Sequence, residues 1–328
     1  MRRGKLMNMK KILAIILTFC LSCSIFSGCD LLDLFTSDPG GSSQSGSSSQ
    51  PQSSSNNDSK NWPVTVSGIA VPSKPTKVAS LSPSLTEIVC DLGYGSALVC
   101  VSDYCDYPSA VTSLTKAGSA LLPDCNAIIA SGAQYLLTST ELSDVDTNTL
   151  TDAGISIIVL QPAKQLSALE RLYKNIGAIF GGSVDGQARG KSLYNECINL
   201  LEECKIAVSS LGFSTTNPPA ALYLRVIDPL TVATVDTLES ALLEYIGFTN
   251  IASGYGDWSY PADLAPNLTP DYLFFSSSID PDELVSSELY SHFSGILKRM
   301  ASTDMLVFER QGKRMFSELS RTVSLFLN

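Results

Sequence analysis

A single histidine, His292, serves all 328 residues, and that scarcity removes several kinds of chemistry at once. A metal site made of several histidines is impossible, and a Ser-His-Asp triad would have to be built on His292 without any Gly-x-Ser-x-Gly turn to present its nucleophile. No Gly-x-x-x-x-Gly-Lys loop is present to cradle a nucleotide's phosphates. Downstream of Cys29 no Cys-x-x-Cys pair suggests zinc or a redox centre. Also missing is an apolar run of about 20 residues, the length a spanning helix needs. Basic residues are few and unevenly placed. Five of the 22 Lys+Arg precede residue 29, leaving 17 against 32 Asp+Glu and a formal charge of −15 for the remainder. A chain so acidic is a poor partner for nucleic acid.

The cluster Arg2, Arg3, Lys5, Lys10 and Lys11 is followed by the apolar run Ile12 to Phe19 and the small-residue stretch Phe26-Ser27-Gly28-Cys29. That order predicts a signal peptide over residues 1–28. Phe26 to Cys29 resembles a bacterial lipobox, which implies lipidation of Cys29 and attachment to the outer face of a membrane. The plainer reading is a secretory peptide with an incidental cysteine. Between Gly40 and Ser59, ten of twenty residues are serine and almost none is apolar, so residues 29–61 read as a flexible tether. Six further cysteines, at 90, 100, 105, 125, 197 and 204, read mostly as unpaired core thiols. Cys197 and Cys204 are about 10 Å apart along a helix, too far for a mutual bond.

From Trp62 onward, short β-rich runs alternate with amphipathic stretches, the pattern of an α/β fold. Strands are expected at Val78 to Leu81, Ala97 to Val101, Tyr135 to Leu137 and Ile155 to Leu160, with helices at Pro83 to Leu92, Asn126 to Ser131 and Asp146 to Ala153. Residues 62–165 thus form one Rossmann-like lobe. Residues 166–212 keep a helical apolar period through Leu169, Leu172, Ile176 and Ile179, then Leu193, Cys197, Leu200 and Leu201, predicting one long helix with Gly181 and Gly182 placed to bend it. A second lobe over 213–328 has strands at Ala221 to Val226 and Tyr272 to Phe275, a helix at Leu238 to Ile246, and mostly helix from Asp280 to Met300. Two α/β lobes joined by one long α-helix leave a cleft between them at the carboxyl ends of their strands.

The block Val78-Ala79-Ser80-Leu81-Ser82-Pro83-Ser84-Leu85-Thr86-Glu87-Ile88, then Leu92-Gly93, then Val101-Ser102-Asp103-Tyr104-Cys105-Asp106-Tyr107-Pro108, closely resembles the cobalamin and ferric-siderophore binding proteins of ABC importers. Asn175-Ile176-Gly177 to Gly181-Gly182 resembles that family's inter-lobe helix, and Pro270-Asp271-Tyr272-Leu273-Phe274 its second-lobe strand entry. The resemblance implies a rigid pair of lobes with modest closure, a shallow cleft for a metal chelate, and docking on a permease through acidic residues of each lobe. Where the family commonly has a glutamate on the first lobe, this sequence has Asn126, which cannot pair with a permease arginine; Asp263 of the second lobe still can.

Candidate ligand contacts follow from residue type and place. Ser82 and Pro83 form a strand-to-helix corner whose amides face the cleft, or simply cap the helix. Tyr104, Asp106 and Tyr107 lie on a loop after a strand, as ligand contacts or, for Tyr107, a packed loop staple. Arg225 ends a strand, there to meet an anionic group or to form a surface ion pair. Trp258 and Tyr260 are aromatics in a polar, glycine-bearing segment. With so few histidines the ligand is expected to bring its metal already chelated, as a corrinoid, a ferric siderophore or haem, and no resident cofactor is expected. The expected protein is a monomeric carrier, not an enzyme. A lipid-anchored adhesin or a surface hydrolase on the same scaffold are the alternatives.

Overall fold

The computed structural model describes residues 61–213 and 216–327. The signal peptide, Cys29 and nearly all of the tether lie outside the described residues.

The described chain opens with a small hairpin, Val64–Val66 (β1) and Ile69–Val71 (β2), turned at Ser67 and Gly68, both at positive φ. Five parallel strands then make the first lobe: Val78–Ser80 (β3), Leu98–Val101 (β4), Thr115–Lys116 (β5), Tyr135–Thr138 (β6) and Ser156–Val159 (β7), in the order β5-β4-β3-β6-β7. Its helices are Pro83–Asp91 (α1), Cys125–Ala130 (α2) and Asp144–Asp152 (α3). Side chains alternate across the sheet. Val78 joins the helical layer that runs through the molecule, while Ala79 and Leu81 pack with Ile128 and Leu150 on the opposite face.

Residues 166–212 are not one helix. Leu166–Gly181 (α4) is followed by a single π-turn over Gly182–Gly186, and Gln187–Ser209 (α5) runs back beside it. The cause is a row of glycines: a Cβ on Gly177 would stand 2.0 Å from the Gly186 carbonyl oxygen, and one on Gly190 2.4 Å from that of Tyr173. Backbone therefore meets backbone where a single rod was expected, and the long connecting helix is the 23-residue α5 alone.

The second lobe contains Ala220–Val226 (β8), Thr231–Val232 (β9), Leu238–Tyr245 (α6), Thr249–Asn250 (β10) and Tyr272–Ser276 (β11), then Pro281–Ser286 (α7), Glu288–Phe293 (α8), Arg299–Thr303 (β12), Met305–Phe308 (α9) and Lys313–Leu327 (α10). The parallel order is β10-β8-β11-β12, with β9 antiparallel on β8. The helix expected to reach Met300 stops earlier. Ser287 ends α7 and caps α8 by accepting from the Tyr290 amide, and residues 299–303 pair in register with β11, so sheet edge overrides local helical pattern. Alternation again divides the faces: Tyr223, Tyr272 and Phe274 join the shared helical layer, Leu222, Leu224, Leu273 and Phe275 the outer core. Two separate sheets thus flank one continuous apolar layer made by α1, α4, α5 and α10.

Candidate binding cleft

Both sheets reverse strand order next to their first strand, between β3 and β6 in one lobe and between β8 and β11 in the other. The carboxyl ends of strands at such a reversal leave a crevice. Two adjoining compartments lie there, each lined by both lobes and meeting at Ser139 and Glu309. One, of about 570 Å³, is walled by Ser82, Pro83, Tyr104 and Asp106 against Met305 and Arg310. The other, of about 470 Å³, sets Ser139, Gln161 and Lys164 against Arg225, Glu239 and Trp258. Both volumes are in the usual range for a small-molecule site.

The first-lobe corner is built by local capping. Ser82 is buried and accepts the Leu85 amide at 3.4 Å, Pro83 occupies the first helical position, and Ser80 Oγ donates to the Ser82 carbonyl. Capping occupies the Ser82 side chain, leaving Pro83 and Ser84 as the corner's surface towards the hollow. Tyr104 is two-thirds exposed beside it. Asp106 is not a free carboxylate: it pairs with Arg310 of the second lobe, which holds its pKa below the usual carboxylate range. Tyr107 turns from the hollow and lies under the Arg314 guanidinium, 3.8 Å from its ring centre, the staple that the sequence left as its other reading.

On the second lobe, Gly256 to Ser259 form a tight turn closed by the Ser259 amide donating to the Gly256 carbonyl. Its central residues, Asp257 and Trp258, have φ of 55° and 60°. Neither is glycine, and a bulky indole in this left-handed region is strained. Side chains hold it there: Asp236 Oδ1 accepts from the Asp257 amide at 2.9 Å and Thr234 Oγ1 from the Trp258 amide at 3.0 Å. Lys164, reaching across from the first lobe, donates to Asp236 at 2.9 Å and is the main reason its carboxyl titrates at about 2. Trp258 therefore stands at the cleft with the Arg225 guanidinium 5.0 Å from its ring.

Arg225 is paired as well, donating to Glu309 at 2.8 Å, and Tyr223 gives Glu309 a second hydrogen bond at 3.1 Å. Burial pushes the Glu309 carboxyl up while Arg225 and Tyr223 oppose it. Behind them Glu239, in the first turn of α6, is 4% exposed. Burial, aided by the charge of Glu309, raises its carboxyl to about 8.

Tyr260 is not at the cleft. It is buried in the outer core of the second lobe, its ring centre 4.5 Å from that of Tyr255, because a turn at residues 256–259 sends the next aromatic inward. Asn126 lies exposed in the first turn of α2, and Asp263 exposed in a short 3-10 segment of the second lobe. His292 lies in the last turn of α8 and is absent from both compartments. The six described cysteines are free thiols; burial pushes Cys197 up to about 12.

Sequence reasoning missed the segment 309–312, which crosses from lobe to lobe. Arg310 donates to Glu87 at 3.1 Å and to the Tyr104 carbonyl at 3.2 Å, and Gln311 exchanges two 2.7 Å hydrogen bonds with the Ala163 backbone. Its signal was position: the segment follows the last strand end, where cleft loops gather, and carries the charged run Glu309-Arg310-Gln311-Gly312-Lys313-Arg314.

No protein-family model matches the sequence. The uncharacterized ABC transporter substrate-binding lipoprotein YvrC of Bacillus subtilis is 23% identical over 266 residues, 77% of this chain and 82% of the relative. Among solved structures, a periplasmic heme binding protein from Pseudomonas aeruginosa superposes with a TM-score of 0.62 at 21% identity, covering 77% of this chain and 93% of that one. The periplasmic vitamin B12 binding protein BtuF of Vibrio cholerae gives 0.58 at 16% identity over 77% and 96%.

Proposed function

We propose, for a chain with the two-lobed, helix-linked fold of the periplasmic binding proteins, that it is an extracytoplasmic solute-binding lipoprotein which captures a metal chelate and hands it to the permease of an ABC importer. The observation that supports this best is the pair of compartments at the two strand-order reversals, walled from both lobes, with Trp258 held at the rim in a strained conformation by Asp236 and Thr234. Strain of that kind is kept where a side chain's position matters more than local stability. The name of the Bacillus subtilis relative and the ligands in the names of the two solved structures support the same reading.

The chelate is a corrinoid, a ferric siderophore or haem, arriving with its metal already bound, and the protein binds it without reaction and without a resident cofactor. Trp258 offers a flat apolar face, and Ser139, Gln161 and the backbone of the Ser82 corner offer polar contacts to a rim. Of the two exposed docking positions, Asp263 meets the permease through an ion pair and Asn126, which cannot form one, through an uncharged contact, and a diacylated Cys29 tethers a monomer at the membrane surface. Among the described residues no helix is long and apolar enough to cross a membrane.

Calorimetric titration of the purified chain with cobalamin, ferric siderophores and haem tests the proposal. Saturable binding of one of them is expected, weakened at least tenfold by Trp258→Ala and much less by Tyr107→Ala. Turnover of an ester or peptide, or silence towards all three chelates, would sink it.

A further inference from the structure

The compartment beside Trp258 is lined by five carboxyl groups and two cations. Both cations are spent, Lys164 on Asp236 at 2.9 Å and Arg225 on Glu309 at 2.8 Å. The remaining acids are Glu141 and Asp257, both exposed at the rim, and Glu239 at the wall. Glu239 differs from the other two. It is more than nine-tenths buried, lines the hollow, and among the described residues no basic side chain is paired with it. The hydrogen bond its carboxyl accepts comes from its own backbone amide, and a buried carboxyl without a paired cation is costly to the fold and contributes nothing to it that a leucine would not. The neighbouring compartment adds Asp103 and Asp106 against Arg310 alone, and Arg310 already holds Asp106 and Glu87. The whole crevice therefore presents an acidic potential with no free cation of its own on the walls named, and low-dielectric walls concentrate such a field.

We infer that this wall of the cleft is a seat for a nitrogen hydrogen-bond donor, carboxamide or ammonium, carried by a ligand of neutral or positive charge, with Glu239 as the acceptor. The inference rests on the solute-binding reading above and narrows it: a chelate fringed with carboxylates or of net negative charge meets repulsion here, whereas one fringed with N–H donors meets a buried acceptor that no basic side chain among the described residues holds. Arg225, stacked on Trp258 and held by Glu309, acts as a positioning residue for the indole.

Four probes on the full chain test it by calorimetry: cyanocobalamin, neutral with a carboxamide rim; ferrioxamine B, a cation with an ammonium; haemin, with two carboxylates; and ferric enterobactin, an anion. One or both of the first two are expected to bind at least tenfold tighter than either of the last two. Glu239→Leu should weaken that binding tenfold or more without lowering the thermal midpoint, a combination that a merely structural residue would not give. Glu239→Gln, which keeps an acceptor but cannot ionise, separates the two donors, since a carboxamide is met by the protonated carboxyl that burial favours and an ammonium pairs with it only once that proton is released: a loss nearly as large as with leucine marks an ammonium, a loss of a few-fold a carboxamide. Tight binding of haemin or enterobactin, or an affinity for the first pair that Glu239→Leu leaves unchanged, would overturn the inference while leaving the chelate reading intact. Binding of none of the four would overturn both.

Discussion

At the scale of the residue, Glu239 shows how a site departs from what folding alone asks. A glutamate in the first turn of a helix ordinarily points to water and favours the positive end of the helix dipole. Here it is enclosed, and its carboxyl is raised above an unfolded value near 4.5 to about 8, by burial first and by Glu309 second. Between those values the unfolded chain has lost the proton that the folded chain keeps, so stability falls as pH rises, by at most about 1.4 kcal/mol per pH unit from this group. Below pH 4.5 both states hold the proton and the contribution is flat. Glu239→Gln lacks the slope. Urea unfolding should therefore find the variant more stable than the parent at pH 8, with the difference shrinking towards pH 5; a gap independent of pH would contradict the burial of this group. Nothing in the sequence announced Glu239, because inward and outward glutamates of an amphipathic helix differ only in what packs over them. Trp258 and Tyr260 make the same point from the other side. They are two residues apart in one polar segment, yet only the first reaches the cleft, since a turn closed by Asp236 and Thr234 decides which aromatic faces out.

At the scale of the element, six of the parallel strands were legible because they are short apolar runs bounded by turn residues, whereas the polar two-residue strands β5 and β10 were not, and the helices were legible because Ser82, Ser143, Thr237 and Asp280 cap them. Less legible were the strand at 299–303, which gains its conformation from pairing with β11, and the helix reversal at Gly182. Periodicity runs unbroken through both halves of 166–212, so it reports two helices as one. The glycines at 177, 181, 186 and 190 carried the missing information, since a row of residues without Cβ lets two backbones touch. Gly177→Ala and Gly190→Ala should each destabilise the protein by on the order of 3 kcal/mol, because the added carbon falls on a carbonyl that cannot give way. Gly295→Ala, where a Cβ would meet nothing within 4 Å, provides the control and should change the urea midpoint little. Equal effects at all three positions would mean that the helices do not pack at the contact described.

At the scale of the whole molecule, the question is what fixes one lobe against the other. The shared apolar layer does most of it, as residues from β1 to α10 belong to a single buried cluster. The polar complement is the segment 309–314. Arg310 and Arg314 converge on Glu87, which is 1% exposed, and Gln311 is bonded on both sides to Ala163 and to Tyr173 through its carbonyl. Exposed pairs such as Lys164 with Asp236 contribute little to stability, but a buried acid deprived of its cation is expensive. Arg310→Met leaves Glu87 with Arg314 alone and Asp106 facing water, and should cost about 3 kcal/mol. Because Arg310 also touches Tyr104 and walls the compartment at the Ser82 corner, the variant should loosen ligand binding as well. Asp106→Ala separates the two effects: it removes the exposed partner only, so it should cost well under half as much, and a double-mutant cycle should give a coupling that is small beside the Arg310–Glu87 term. A continuous core also predicts that calorimetry will record one unfolding transition for both lobes, in the parent and in Gly295→Ala alike. Two resolved transitions would mean that each lobe folds on its own and that the segment 309–314, not the shared helical layer, holds them in register.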